Sequence, residues 1–226
     1  MPVLALELIP LAIASAVIPL PLIVTILLLR TGGGRLAALA WVGGQTAVRL
    51  VQGLLIALLL DRASSSEAGG AKSGPVVATA LLVLGILFYV LAARKAVKAP
   101  DDDAPPPRWM ELLDGATPGR AFALGCALMA ISVKFWVFTL GATSAIADAR
   151  LDPAPAAAAF AGFVLLALSL QLALILLAFA SPVRADAVLG RVGEALERHN
   201  RSLLIAVGLI FGTVFLLEGL AGLGVL

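Results

Sequence analysis

The fold is decided by the stretch Ala14-Ser15-Ala16-Val17-Ile18-Pro19-Leu20-Pro21-Leu22, which interrupts the apolar run over residues 8–29. A run of this length can cross a bilayer as a helix. Pro19 and Pro21 each remove a backbone donor and clash with the preceding turn, so they predict a kink or an unwound segment near the midplane. Unwound backbone at that depth needs protein or a water-filled cavity around it, and broken helices there are typical of transporter binding sites. A simple packing kink is the alternative.

The composition indicates an all-α integral membrane protein. Of the 226 residues, 61% are hydrophobic and 13% charged, and the mean hydropathy is +1.06, beyond what soluble domains carry. The single cysteine, Cys126, excludes a disulfide within the chain, and the single histidine, His199, excludes a multi-histidine metal site. We therefore predict no enzyme activity, no cofactor and no nucleic-acid partner. The first apolar run has no preceding Lys or Arg and is interpreted as a retained span.

Six transmembrane helices are predicted, in two halves. The apolar runs lie at 5–29, 36–60, 75–97, 119–146, 156–181 and 202–224. Aligning Ala14–Thr25 with Leu128–Thr139 places Thr25 on Thr139 and the proline break on Val133-Lys134-Phe135, which favours an internal duplication. The predicted units are a first three-helix repeat at 1–97, a cytoplasmic linker at 98–118 and a second repeat at 119–226. Short interfacial helices are expected at 109–113 and 183–198.

The distribution of positive charge predicts the orientation. Eleven Lys and Arg residues follow spans one, three and five, against three on the other side. The positive-inside rule therefore places both termini outside the cytoplasm. With three spans per half, the two repeats are inverted relative to each other, as in many secondary transporters.

Two cations, Arg49 and Lys134, lie in the middle of predicted spans, where each costs about 2.5–3.5 kcal/mol to insert. Gln45, Arg49 and Gln52 form a polar stripe with helical spacing on span two. Ser132 and Gln171 could join this stripe from spans four and five.

The ligand of these cations is predicted to be an anion. Arg49, Lys134 and the Pro19–Pro21 break share an estimated depth that holds no carboxylate, so we expect both cations to face one cavity and a sulfate, phosphate or carboxylate group. The alternative is that they only satisfy carbonyls freed at the helix breaks. Glu218, part-way toward the outer face, could couple transport to protons.

Two motifs carry a family resemblance. The Ser15–Pro21 break and the run Trp109-Met110-Glu111-Leu112-Leu113-Asp114-Gly115-Ala116-Thr117-Pro118-Gly119-Arg120-Ala121 resemble the GAP family, the peptidoglycolipid-addressing proteins, within the LysE superfamily of six-span exporters. The resemblance extends over essentially the whole chain. In span four the family often reads Asn-Pro-Lys-Asn, where this chain has Ser132-Val133-Lys134-Phe135, so the lysine is kept and the second helix-breaking proline is lost.

The resemblance implies export of anionic envelope lipids or glycolipids across the bacterial inner membrane. A small-solute exporter and a non-transporting accessory subunit of a lipid-synthesis or export complex remain alternatives. Gly208 and Gly212 have GxxxG spacing in span six, which allows close packing within the protomer or in a homodimer.

The charge bias generates a topology prediction. Cysteine introduced at Ser65 should be labelled by an impermeant thiol reagent in intact cells, whereas cysteine at Asp102 should be labelled only after permeabilisation. The parent chain, which holds only Cys126, gives the background. The reverse pattern would refute the predicted orientation.

Overall fold

The computed structural model describes residues 2–30, 34–66, 75–97, 113 and 115–225, and its elements in these ranges are α-helices. The all-α prediction is confirmed. The predicted interfacial helix at 109–113 lies almost wholly outside the described residues, as does most of the predicted linker. In chain order the helices are α1 (Pro2–Ala16), α2 (Pro19–Arg30), α3 (Gly34–Ser66), α4 (Pro75–Val97), α5 (Pro118–Ile131), α6 (Val133–Asp148), α7 (Pro153–Ala167), α8 (Ser169–Ala180) and α9 (Pro182–Gly222).

Three predicted spans are bent helix pairs. The pair α1–α2 bends by 52° at the predicted proline break, α5–α6 by 72° and α7–α8 by 61°. The α5–α6 break falls at Ser132 although the family's proline is missing there. The third break, at Leu168, contradicts the expectation of one continuous helix over 156–181. No proline or glycine marks this position, so local sequence gives no signal for it.

Length and composition identify up to five membrane spans in the described residues. Gly34–Leu60 and Ser202–Gly222 qualify alone, and each bent pair qualifies when it is counted as one span. The third predicted span, 75–97, is the 23-residue helix α4, which is not among those five. It packs along α9.

The predicted interfacial helix at 183–198 is not a separate element. It continues into the sixth predicted span as α9, a single helix of 41 residues. In its first half Ala185, Leu189 and Leu196 are buried against α2 and α8, including Leu22 and Ile26 of α2. Because this contact anchors the amphipathic half to the bundle, α9 needs no break before it enters the apolar region.

Small residues bring two pairs of helices close together. Gly208 and Gly212 face α4, where a methyl group on Gly208 would lie 2.8 Å from the Ala92 Cβ atom. The GxxxG face of α9 therefore serves packing within the chain. In α5, Gly125 faces α3 so closely that a Cβ atom there would overlap the Trp41 carbonyl oxygen.

The close α3–α5 contact can be tested with two Gly-to-Ala substitutions. G125A should lower the free energy of unfolding by about 1–3 kcal/mol, because the added methyl group forces the helices apart. G162A, in α7 with open space around the position, should be neutral or slightly stabilising, because alanine favours helix. Thermal unfolding of both purified variants in detergent measures the difference. Equal stabilities would show that the contact does not constrain the bundle.

Candidate functional site

The polar stripe predicted on α3 lies in the interior of the bundle. Gln45, Arg49 and Gln52 are 0%, 1% and 1% exposed. Each of the three side chains contacts residues of at least one of the bent pairs, so α3 lies against all three breaks.

Gln45 pairs with Gln171, which lies in the first turn of α8 after the break at Leu168. The Gln45 Nε2 atom donates to Gln171 Oε1 at 2.9 Å, and Gln171 Nε2 lies 3.3 Å from Gln45 Oε1. Gln171 Oε1 also accepts from Trp41 Nε1 at 3.2 Å and from Thr25 Oγ1 at 3.0 Å. Gln171 therefore joins the stripe, and Trp41 and Thr25 are partners that the sequence analysis missed.

Gln52 lies against the break at Ser132. Its Nε2 atom donates to the Met129 carbonyl oxygen at 3.1 Å, while Trp136 Nε1 donates to the Ala130 carbonyl oxygen at 2.8 Å. These bonds satisfy carbonyl groups that the end of α5 leaves without helical partners. Ser132 marks the position of the break between α5 and α6, and its hydroxyl group makes no capping bond there.

Thr25 and Thr139, which the sequence alignment places on each other, make similar contacts. Each hydroxyl has one hydrogen and two acceptors within reach. The first is the carbonyl oxygen four residues earlier in its helix, at 2.8 Å for Thr25 and 2.9 Å for Thr139. The second is a glutamine oxygen of another helix, in Gln171 for Thr25 and in Gln52 for Thr139, the latter at 3.3 Å. The alignment of Thr25 with Thr139 was the feature of the sequence that could have indicated these contacts.

Arg49 is the one member of the stripe whose side chain is incompletely paired. Its Nη2 atom donates to the Ser15 hydroxyl, and the guanidinium carbon lies 5.5 Å from the ring centroid of Phe135 and 5.8 Å from that of Phe163. The Nε and Nη1 atoms are buried and have no hydrogen-bond partner among the described residues. Arg49 therefore does not act there as a cap for carbonyls freed at a break.

Lys134 lines a cavity whose described lining does not include Arg49. Its ammonium nitrogen lies 5.6 Å from the Phe135 ring centroid, and its half-buried side chain lines a cavity whose lining includes Ile18 but not Arg49. The reason is helical geometry, since neighbouring residues project about 100° apart around a helix. With the Phe135 ring turned toward Arg49, Lys134 must point elsewhere.

The breaks also orient helix dipoles. α2, α6 and α8 all begin inside the predicted spans, and neither α6 nor α8 has a side-chain cap at its start. Helix N-termini carry partial positive charge and unpaired N–H groups. Arg49 contacts Ser15, Phe135 and Phe163, one residue from each bent pair. Of these residues, Phe135 lies in the first turn of α6, where the helix dipole is positive, and Ser15 lies in the last turn of α1, where it is negative.

The described residues hold no group of three or more His, Cys, Asp or Glu side chains that could bind a metal. Cys126 is a free thiol that contacts the Gly44 carbonyl oxygen at 3.5 Å. Glu218 belongs to α9, but its side chain lies outside the described part of the structure.

The comparisons with known proteins give one family. A family model described as Sap, sulfolipid-1-addressing protein, matches residues 8–221, nearly the whole chain. No curated protein and no solved structure matches.

The shared acceptor on Gln171 generates a stability prediction. Q171L should lower the free energy of unfolding by about 1–3 kcal/mol, because it leaves the buried Gln45 amide and Trp41 indole without their partner. T25V should cost about 1 kcal/mol or less, because it removes one donor while the other two remain on Gln171. Chemical unfolding in detergent measures both. A T25V loss equal to that of Q171L would contradict the network.

Proposed function

This chain belongs to the sulfolipid-1-addressing protein family, and from that premise we propose that it exports an anionic envelope lipid or glycolipid across the bacterial inner membrane. The family's name ties its members to a sulfated lipid, and an all-helical chain with several membrane spans is suited to moving one. The proposed step is translocation and involves no covalent chemistry.

The observation that carries the proposal is the incomplete pairing of Arg49. Its Nε and Nη1 atoms are buried without a partner among the described residues. Unpaired polar groups at such a position are costly and call for a ligand. A guanidinium group binds sulfate, phosphate or carboxylate oxygens in pairs through Nε with Nη2 or through Nη1 with Nη2. Each of these forks contains one of the unpaired nitrogens, and Nη2 has a second hydrogen besides the one that it donates to Ser15.

The polarity around Arg49 favours an anion over a cation or a neutral polar group. No acidic side chain contacts the guanidinium group among the described residues. The uncapped start of α6, which holds Phe135 beside the guanidinium group, adds partial positive charge, and such helix starts face anionic substrates in transporters built from broken helices. Gln45, Gln52 and Gln171 pair with other groups and act as positioning residues for the breaks.

We propose further that the chain forms six spans in two inverted three-helix repeats, over 1–97 and 119–226, joined by a cytoplasmic linker at 98–118. The paired threonine–glutamine contacts support this arrangement, because each threonine reaches the glutamine of the opposite half. The breaks at Ile18 and Ser132 correspond in the same alignment. Glu218 is the candidate for proton coupling in α9.

Substitution of Arg49 tests the function. R49A should abolish export, because the anionic head group loses its bidentate partner, while R49K should be partly tolerated, because a point charge replaces the fork incompletely. The measurement is lipid reaching the outer leaflet or envelope, normalised to membrane-inserted protein. R191A, which removes an exposed arginine of α9, is the matched control.

The outcomes separate the alternatives. Near-normal export of both lipid and a small organic anion by R49A would eliminate the anion site and leave Arg49 as a structural residue. If R49A exports lipid normally but loses an export of the small organic anion that the parent chain shows, the substrate of this site is a solute and not the lipid. Loss of lipid synthesis rather than export would indicate an accessory subunit.

Reversal of charge at Lys134 tests the sign of the substrate. K134E should reduce export below the level of K134A, because a carboxylate repels an anion strongly in a poorly screened site. Equal export by the two variants, at equal amounts of inserted protein, would show that Lys134 does not meet the charged part of the substrate.

A further inference from the structure

A cavity of about 220 Å³ lies where α4, α6 and α9 meet behind the first helix break. Its walls are almost entirely apolar and include Phe88 of α4, Leu204 and Val207 of α9, and Ile18 at the break itself. Lys95 and Lys134 are its charged lining residues. The cavity is separate from the polar contacts of Arg49.

Lys134 gives the cavity its polarity. It lies in the first turn of α6, and no carboxylate is among the lining residues. An ammonium group beside an apolar wall matches an anionic amphiphile, whose head group binds the cation while its chain covers the apolar side chains. Lys95, in the last turn of α4, also lines the cavity.

The volume restricts what fits. Complete small-molecule sites occupy about 300–1,000 Å³, so a cavity of 220 Å³ accommodates only part of a lipid. The remainder of the molecule must extend into the bilayer past α4 and α9. That requirement suits a lipid held from the side and disfavours a solute that must be enclosed.

We propose that this cavity is a loading site that binds the phosphate or sulfate head group and the adjoining chain segment of an anionic lipid before translocation. The inference rests on the proposed function and adds a second site to it. Phe135 links the two sites, because its buried ring lies within 6 Å of both the Lys134 ammonium and the Arg49 guanidinium groups. On the predicted orientation, Lys95 faces the cytoplasm and the site loads from the inner leaflet.

Photo-cross-linking to the purified full-length chain in nanodiscs tests the loading site. The probes are phosphatidate and phosphatidylcholine that carry the same diazirine-labelled chains. Phosphatidate should label peptides that contain Phe88 and Leu204, and it should do so about tenfold more than phosphatidylcholine, since an anionic head group pairs with the Lys134 ammonium group. K134Q and K95Q should each reduce phosphatidate labelling several-fold.

Cavity filling provides the matched control. L204W should block labelling because the indole occupies the cavity, whereas L209W, at a position that is 44% exposed on the same helix, should not. Retained labelling in L204W, or equal labelling by the two lipids, would overturn the loading site. Normal phosphatidate labelling of both K134Q and K95Q would also overturn the loading site. If one variant misfolds, the other lysine variant and the lipid pair still decide the question.

Competition distinguishes the sources of the anion. Excess decyl sulfate should suppress phosphatidate labelling, and inorganic sulfate at the same concentration should not, because it lacks the chain. Suppression by inorganic sulfate alone would reduce the cavity to a small-anion site and overturn the lipid assignment. R49A should retain labelling, so loss of export with normal labelling leaves the loading site intact, whereas normal export by R49A overturns only the proposed function.

Discussion

The structure depends on the contact between the continuous helix α3 and the breaks in the three bent helix pairs. Within the apolar part of a membrane, a broken helix leaves backbone groups that water cannot reach, so protein must satisfy them. α3 contributes to this through Gln45, Arg49 and Gln52, which fall on one side of the helix because they are spaced four and three residues apart. Without that row of polar side chains, the interrupted segments would have no reason to meet in the same interior.

Glutamine and arginine play different parts in that row. A side-chain amide can donate and accept, so Gln45 and Gln171 satisfy each other and Gln52 bridges a carbonyl and a hydroxyl. A guanidinium group has five N–H donors and no acceptor, so no arrangement of other donors can satisfy it. Arg49 is therefore only partly compensated by the described residues. Two aromatic rings near the ~6 Å limit supply about 0.5–1 kcal/mol each, and a charged hydrogen bond supplies about 1.5–3 kcal/mol. These contacts offset part of the cost of burying the charge, and Nε and Nη1 remain for a ligand.

Sequence patterns predicted what depends on spacing within one helix and missed what depends on contacts between helices. The prolines at 19 and 21 predicted the first break, and the polar spacing on α3 predicted the stripe. The break at Leu168 has no proline or glycine, and tertiary bonds to Gln171 hold the next turn in place. The continuity of α9 was missed because a switch from charged to apolar composition resembles an element boundary, although helix geometry imposes no break there.

The positions of the two cations within the predicted spans show that depth alone does not decide which surface a side chain meets. Lys134 and Arg49 have similar estimated depth, yet a one-residue offset from Phe135 turns Lys134 to the side of α6 that meets α4 and α9. Both cations contact the Phe135 ring, and only Lys134 lines the described cavity, which fits two successive binding positions better than one pocket. For a lipid this division is physically sensible, since the head group must exchange one cationic partner for another while its chains stay in hydrocarbon. Placing both cations in one closed pocket would bind the head group more tightly and hold it there, which opposes release on the other side of the membrane.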